Sequence, residues 1–163
     1  MDVTIRPLRE EDAYTSVKWR NDPEVFKYTG NTYDHVITIE SELNWIKKVM
    51  TSSTDYRCAI IADDKYVGNI YLHDITRDSA IYSIFIGEKE YWGKGIAKQA
   101  SLLIIKHGFD SLNLKTITLK VRSVNTRAVS LYKSIGFQEF DTEGEWISMI
   151  IVNEKYRIDN LFK

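Results

Sequence analysis

The sequence predicts an α/β domain with a mixed central sheet flanked by helices, and three observations carry that expectation. Ile39, Leu43, Ile46 and Met50 recur at helical spacing, with Trp45 and Val49 broadening the apolar face. Strand-like runs then follow at residues 56–62, 66–72 and 80–87. Beyond them the pattern changes to helix, strand, helix, strand, which demands crossovers packed against a sheet.

Taken in order, Val3, Ile5 and Pro7 alternate as a strand, and residues 8–12 lead into a helix reaching about Trp19. Pro23 cannot continue a helix, so residues 20–23 form a turn before the helix at 39–50. Asp63-Asp64-Lys65 is a connection of hairpin length, and residues 73–78 make a looser one; the three central strands therefore form an antiparallel meander. Residues 95–109 predict a helix with Ile96, Ala100, Leu103 and His107 on one stripe, widened by Leu102, Ile105 and Phe109, and Gly108 precedes a polar break. A strand at 116–122, a helix at 126–134 and strands near 137–141 and 146–152 complete the chain.

A length of 163 residues with 44% hydrophobic content suits one domain spanning 1–163. The formal charge is −1 and the basic residues are dispersed among acids, so extensive nucleic-acid backbone binding is not expected. Cys58 stands alone, which excludes an intrachain disulfide or a cysteine cluster, and its apolar surroundings predict a buried thiol. His35, His73 and His107 are separated, and no metal site is predicted. The start Met1-Asp2-Val3 lacks an apolar leader, and no apolar run approaches the ~20 residues of a membrane span. The expectation is a soluble cytoplasmic protein.

Gly93-Lys94-Gly95-Ile96-Ala97 falls between a predicted strand and a long predicted helix. Glycines let a ligand approach backbone N–H groups, and a helix start adds unpaired donors and partial positive charge, so the stretch predicts a phosphate or pyrophosphate cradle. It is neither a P-loop nor a dinucleotide fingerprint, since the Lys-Ser/Thr pair and the third glycine are missing; a plain turn is the competing reading. Asn125 opens the next helix and Tyr132 lies seven residues on, roughly 10 Å along an ideal axis, so both can face one elongated ligand. Taken singly, Asn125 is an ordinary N-cap and Tyr132 an ordinary packing residue.

Together, Ser83-Ile84-Phe85-Ile86, the stretch Tyr91-Trp92-Gly93-Lys94-Gly95-Ile96-Ala97 and the run from Val121 through Asn125 and Tyr132 to Phe137 resemble the GCN5-related N-acetyltransferase (GNAT) superfamily. The resemblance implies acetyl-CoA as cosubstrate and CoA as product, held in a splay between the strand ending near Ile86 and the one beginning near Thr116. It implies that backbone at Ile84, Phe85 and Ile86 pairs with the pantetheine arm, and that Trp92, Gly93, Lys94, Gly95, Ile96 and Ala97 surround the pyrophosphate. Asn125 would touch the cofactor arm, an N–H near Ile86 would face the oxyanion, and Tyr132 would protonate the departing sulfur. The family's loop usually opens with Gln or Arg; here Gly95 and Ala97 fit, but Trp92 occupies the opening position. Lys133 is a solvated helix lysine before it is a phosphate ligand.

An amine attacks a thioester only as the free base, so a proton acceptor is needed; direct transfer in a ternary complex is expected. Related ribosomal-protein acetyltransferases carry a Glu five residues before the Asn, where this chain has Lys120, which leaves Glu24, His73, Asp74 and Glu88 as candidates. Residues 18–25, Lys-Trp-Arg-Asn-Asp-Pro-Glu-Val, resemble segments of nucleotide-linked amino-sugar acetyltransferases and of ribosomal-protein N-terminal acetyltransferases. Arg20 would meet a substrate anion or pair internally with Asp22 or Glu24; Trp19 or Tyr33 would stack on an acceptor, with helix packing the alternative for Trp19. The leading acceptor is a protein N-terminal amine, and the alternative is a small amine, either a nucleotide-linked amino sugar or a polyamine. A noncatalytic acetyl-CoA-binding module, with an obstructed cleft or Tyr132 turned away, is the competing class; Phe162 and surface aromatics would supply any partner patch.

Overall fold

The computed structural model describes residues 1–27 and 35–156. Its strands are β1 (Val3–Pro7), β2 (Tyr56–Ala62), β3 (Lys65–His73), β4 (Ser79–Ile86), β5 (Thr116–Arg122), β6 (Gln138–Glu143) and β7 (Trp146–Val152). Its helices are α1 (Ala13–Arg20), α2 (Ile39–Met50), α3 (Ile96–Asp110) and α4 (Thr126–Ile135). The strands form one seven-stranded sheet in the order β1-β2-β3-β4-β5-β7-β6.

Strands β2, β3 and β4 form the expected antiparallel meander, and β1 extends it by pairing antiparallel with β2. Asp63 and Asp64 both adopt positive φ, 47° and 68°, the requirement of a tight hairpin turn matching strand twist. From β4 the chain crosses through α3 and returns parallel as β5. The final hairpin then inserts β7 beside β5 and leaves β6 at the edge, exposed along its whole length. Charged side chains on β6, Glu139, Asp141 and Glu143, suit an unpaired edge.

Alternation along the strands divides the core. Cys58, Ile60, Ile70, Leu72, Ala80 and Tyr82 face α3, while Ala59 and Tyr71 face α1 and α2 with Leu8, Ala13, Ile46 and Val49. The Cys58 thiol is fully buried and burial pushes its pKa up to about 11. The α3 stripe differs from expectation: Ile96, Ala100, Ile104, Ile105 and Gly108 are buried, whereas Leu102 and Leu103 are 50% and 39% exposed. Continuing from Ile96 and Ala100 in steps of four reaches Ile104 and Gly108, not Leu103 and His107. Gly108 is no exit; a Cβ there would stand 3.1 Å from both Ile117 and Leu72. Ser101 is buried because it donates to the Ala97 carbonyl and shares a 2.6 Å hydrogen bond with the Tyr82 hydroxyl. Ile104→Ala should cost about 2–5 kcal/mol, read as a lower urea midpoint at unchanged slope. A loss under ~1 kcal/mol would mean that α3 is anchored elsewhere.

Candidate active site

Strands β4 and β5 pair at only three positions, Ser79↔Thr116, Ala80↔Ile117 and Ile81↔Thr118, and then separate. Gly87 and Glu88 both donate to the Val67 carbonyl, at 2.8 and 3.1 Å, a bulge that bends the end of β4 and adds twist beside the gap. The Gly87 bond fixes the alternation of the β3–β4 ladder, so Phe85 directs its N–H and C=O to Asn69. Ile84 and Ile86 direct theirs into the splay. Of the three residues expected to meet the pantetheine arm, these two have the backbone to do it, while the Phe85 ring packs on Trp19, Phe26 and Tyr71.

Trp92 has a more specific position than the sequence indicated. Its indole Nε1 donates to the Ile86 carbonyl at 2.8 Å, closing the far end of the splay and leaving the Ile86 N–H as the open group there. Gly93 and Gly95 both adopt left-handed φ, 74° and 77°. Gly95 is the N-cap of α3, no side chain caps the helix, and a Cβ at Gly95 would meet nothing within 4 Å. The leading N–H groups at Ile96, Ala97 and Lys98 therefore open onto unobstructed space, the geometry of an anion site. Arg127 was missed in the sequence: a Cβ at Gly93 would stand 2.7 Å from its Nη2, so its guanidinium lies over the glycine loop. It makes no ion pair with the described residues. Its signal was an arginine two residues after the N-cap Asn125, where the first turn of α4 looks back at the loop.

Asn125 caps α4, its side-chain oxygen accepting from the Ala128 N–H at 3.4 Å, and its amide N–H groups remain as donors at the cleft. The Tyr132 ring packs edge-on against Tyr82 and Phe137, with centroids 5.7 and 6.1 Å away. Its hydroxyl makes no hydrogen bond to the described residues, and burial raises its pKa to about 12. Ile84, Ile86, Trp92 through Ala97, Asn125, Arg127 and Tyr132 all line one cleft of about 1230 Å³.

The same cleft continues over the α1–α2 face, lined by Arg20, Glu24, Phe26, Glu42, Trp45, Arg57, Tyr71, His73 and Ser83. Arg20 pairs with the buried Glu42 at 3.4 Å, not with Asp22 or Glu24, because both of those acids bind Lys89, at 2.8 and 2.7 Å. The Arg20 guanidinium also lies 4.6 Å from the Trp45 ring centre, and Arg57 lies 4.6 Å from that of Tyr71. Trp19 is 5% exposed, packs on Tyr66 and Gly87, and donates to Glu88, so Trp19 belongs to the core side of the wall and Glu88 is held between it and Lys65. Lys133 pairs with Glu139 on the surface, and His107 stacks on Tyr56 away from the cleft. Tyr33 and Phe162 lie outside the described residues. Among the described residues, no helix is long and apolar enough to cross a membrane.

The sequence of residues 2–138 matches the acetyltransferase (GNAT) domain family. The chain is 30% identical to N-acetyltransferase p20 of Bacillus licheniformis over 84% of its length and 79% of the relative's. It is 29% identical to spermidine N(1)-acetyltransferase of Escherichia coli, over 95% and 81% of the two chains. The crystal structure of Vibrio cholerae spermidine N-acetyltransferase with CoA and spermine superposes with a TM-score of 0.83 at 25% identity, covering 95% and 98%. Campylobacter jejuni N-acetyltransferase PseH with acetyl coenzyme A gives 0.74 at 21% identity, covering 93% and 99%, a likeness of fold. A β4–β5 splay, an open helix start beneath two left-handed glycines and a tyrosine hydroxyl at the cleft thus occur in a chain that belongs to the GNAT acetyltransferase family and is an acetyl-CoA-dependent N-acetyltransferase.

Proposed function

We propose that this enzyme acetylates the primary amine of a small molecule that also carries an anionic group, such as a nucleotide-linked amino sugar. The observation that supports this reading is the charge of the acceptor end. Among the described residues its wall carries two carboxylates, Glu24 and Glu42, and each is already bound to a cation, Lys89 and Arg20 respectively. Glu42 also accepts from the Ser16 hydroxyl at 3.1 Å. The same cleft is lined by Arg57, paired with Asp55 at 2.7 Å, and by Lys120, which makes no ion pair with the described residues. Among the described residues such a wall offers a polycation no unpaired carboxylate, whereas a phosphate or carboxylate on the acceptor gains Lys120.

Polyamine acetylation is the second reading, favoured by the named activity of the spermidine acetyltransferase relatives. The protein N-terminal amine expected from sequence gives way to these small-amine readings, since the named acceptor among the relatives is a small amine. Mass gain of one acetyl group, scored across nucleotide-linked amino sugars, spermidine, spermine and N-terminal peptides, separates the three. Preferential acetylation of spermidine would overturn the anionic-acceptor reading.

On the chemistry, acetyl-CoA supplies the activated acyl group, and the chain's residues orient it and move protons. In this reading the Ile86 N–H donates to the developing oxyanion, and the Tyr132 hydroxyl, kept protonated by burial, gives its proton to the leaving sulfur. Arg127 supplies positive charge beside the phosphate loop. Arg127→Ala should raise the Kd for CoA about tenfold, the worth of one charge-assisted contact, and flatten its salt dependence. An unchanged Kd would remove Arg127 from the site.

A further inference from the structure

His73, at the end of β3, links two partners across the cleft wall. Its Nδ1 lies 2.9 Å from Oδ2 of Asp74, and its Nε2 lies 3.1 Å from Oγ of Ser83 on β4. Asp74 sits at a left-handed φ of 47°, which folds its carboxylate back onto the ring of its neighbour. Ser83 pairs across the ladder with Tyr71 and His73 with Ile81, so both side chains stand on the sheet face that carries the acceptor end. Ser83 immediately precedes Ile84, whose backbone opens into the splay. Both Ser83 and His73 line the cleft, and both also border a neighbouring cavity of about 860 Å³ reached past Lys120 and Trp146.

We propose that Ser83 and His73, with Asp74 orienting the imidazole, form the proton exit for the acceptor amine. The proposal rests on amine acetylation in this cleft and is independent of whether the acceptor carries an anion. The other expected bases are engaged elsewhere: Glu24 with Lys89, and Glu88 with Trp19 and Lys65. With Asp74 holding the proton on Nδ1, Nε2 of neutral His73 is the acceptor of the Ser83 hydroxyl proton. As a substrate ammonium gives one proton to Ser83 Oγ, the serine passes its own to Nε2, and the freed lone pair forms the C–N bond. The C–S bond breaks, sulfur takes the Tyr132 proton, and the second nitrogen proton restores Tyr132. The imidazolium, 22% exposed, releases its proton to solvent. Besides Asp74, the charged groups of the described residues around His73 are Asp55 and Arg57 on the β2 side, Lys120 on β5, and Glu143 and Glu145 across the neighbouring cavity.

The test combines kinetics with readouts that need no acceptor. The His73 imidazole is titrated by NMR in the free enzyme, and kcat/KM against pH is measured with the best acceptor of the panel. The acid limb of kcat/KM should follow the His73 titration in wild type and disappear in His73→Gln. Ser83→Ala should lower kcat about 10²-fold near neutral pH with the Kd for acetyl-CoA within about twofold. A less basic acceptor amine, already largely deprotonated, should recover most of that loss. An acid limb unaltered in His73→Gln, or parallel losses of melting temperature and cofactor affinity in both variants, would overturn the relay. So would acetylation of Ser83 in enzyme incubated with acetyl-CoA alone, seen by intact mass, because the serine would then be a nucleophile. A polyamine preference in the panel overturns the anionic-acceptor reading and leaves the pH test intact.

Discussion

Tyr132→Phe should lower kcat by about 10²-fold or more while the Kd for acetyl-CoA stays within about twofold. The asymmetry follows from where the ring and the hydroxyl each sit. The ring is held by edge contacts to Tyr82 and Phe137, both of which a phenylalanine keeps. The hydroxyl bonds to none of the described residues, so removing it leaves no orphaned protein partner and no gap in a network. What is lost is one proton donor at the cleft. Because burial raises the Tyr132 pKa to about 12, the acid form persists across the working range. The alkaline limb of kcat therefore belongs to another group. The sign of the linkage is also fixed: a folded pKa above the ordinary ~10 adds stability that is complete below ~10 and is lost as pH rises through about 12. The Phe variant should accordingly lose less of its stability between those pH values. Steady-state kinetics with calorimetric cofactor binding checks the main prediction. Equal losses in kcat and affinity would reassign Tyr132 to packing or binding, and an unchanged kcat would discard it as the acid.

The parts of the fold that were legible in the sequence are those in which each residue's neighbours along the chain decide its environment. Period-two spacing places β5 and helical spacing places α2 because their buried faces repeat regularly, while β2 stands out as a continuous apolar run. The α3 stripe was misread because Ser101 and Gly108 do not look like core residues: one is buried by hydrogen bonds to Tyr82 and Ala97, the other by close approach of β3 and β5 side chains. The same distinction runs through the site. Gly93 and Gly95 announce a backbone conformation, and Asn125 and Tyr132 a helix face, so local pattern carries them. Arg127 over Gly93, Trp92 on the Ile86 carbonyl and His73 against Ser83 are pairings between separate elements, with no periodic signature. Arg20 shows the hazard of reasoning by proximity in sequence. Asp22 and Glu24 lie nearest along the chain, yet Lys89 takes both and the partner comes from α2.

Replacing Gly95 by asparagine should weaken CoA binding by about tenfold or more while the protein stays folded. The residue caps α3 at φ 77°, where a β-branched side chain would cost about 1–2 kcal/mol in backbone strain alone. Asparagine tolerates that region, and nothing lies within 4 Å of the Cβ position, so Gly95→Asn separates the conformational role of glycine from the space it leaves open. A side chain there stands over the first N–H groups of α3, where the partial positive charge of the helix start and the Arg127 guanidinium converge. An anion held mainly by backbone donors needs that approach, because a main-chain N–H cannot extend to meet it. Gly95→Val is the informative companion, since it adds strain to the same obstruction and should lower the melting temperature as well. CoA titration by calorimetry, paired with thermal melts, reads both quantities. If Gly95→Asn binds CoA like wild type, the stretch from Gly93 to Ala97 is only a turn between β4 and α3, and the phosphate contacts must be sought on Lys94, Lys98 and Arg127 instead.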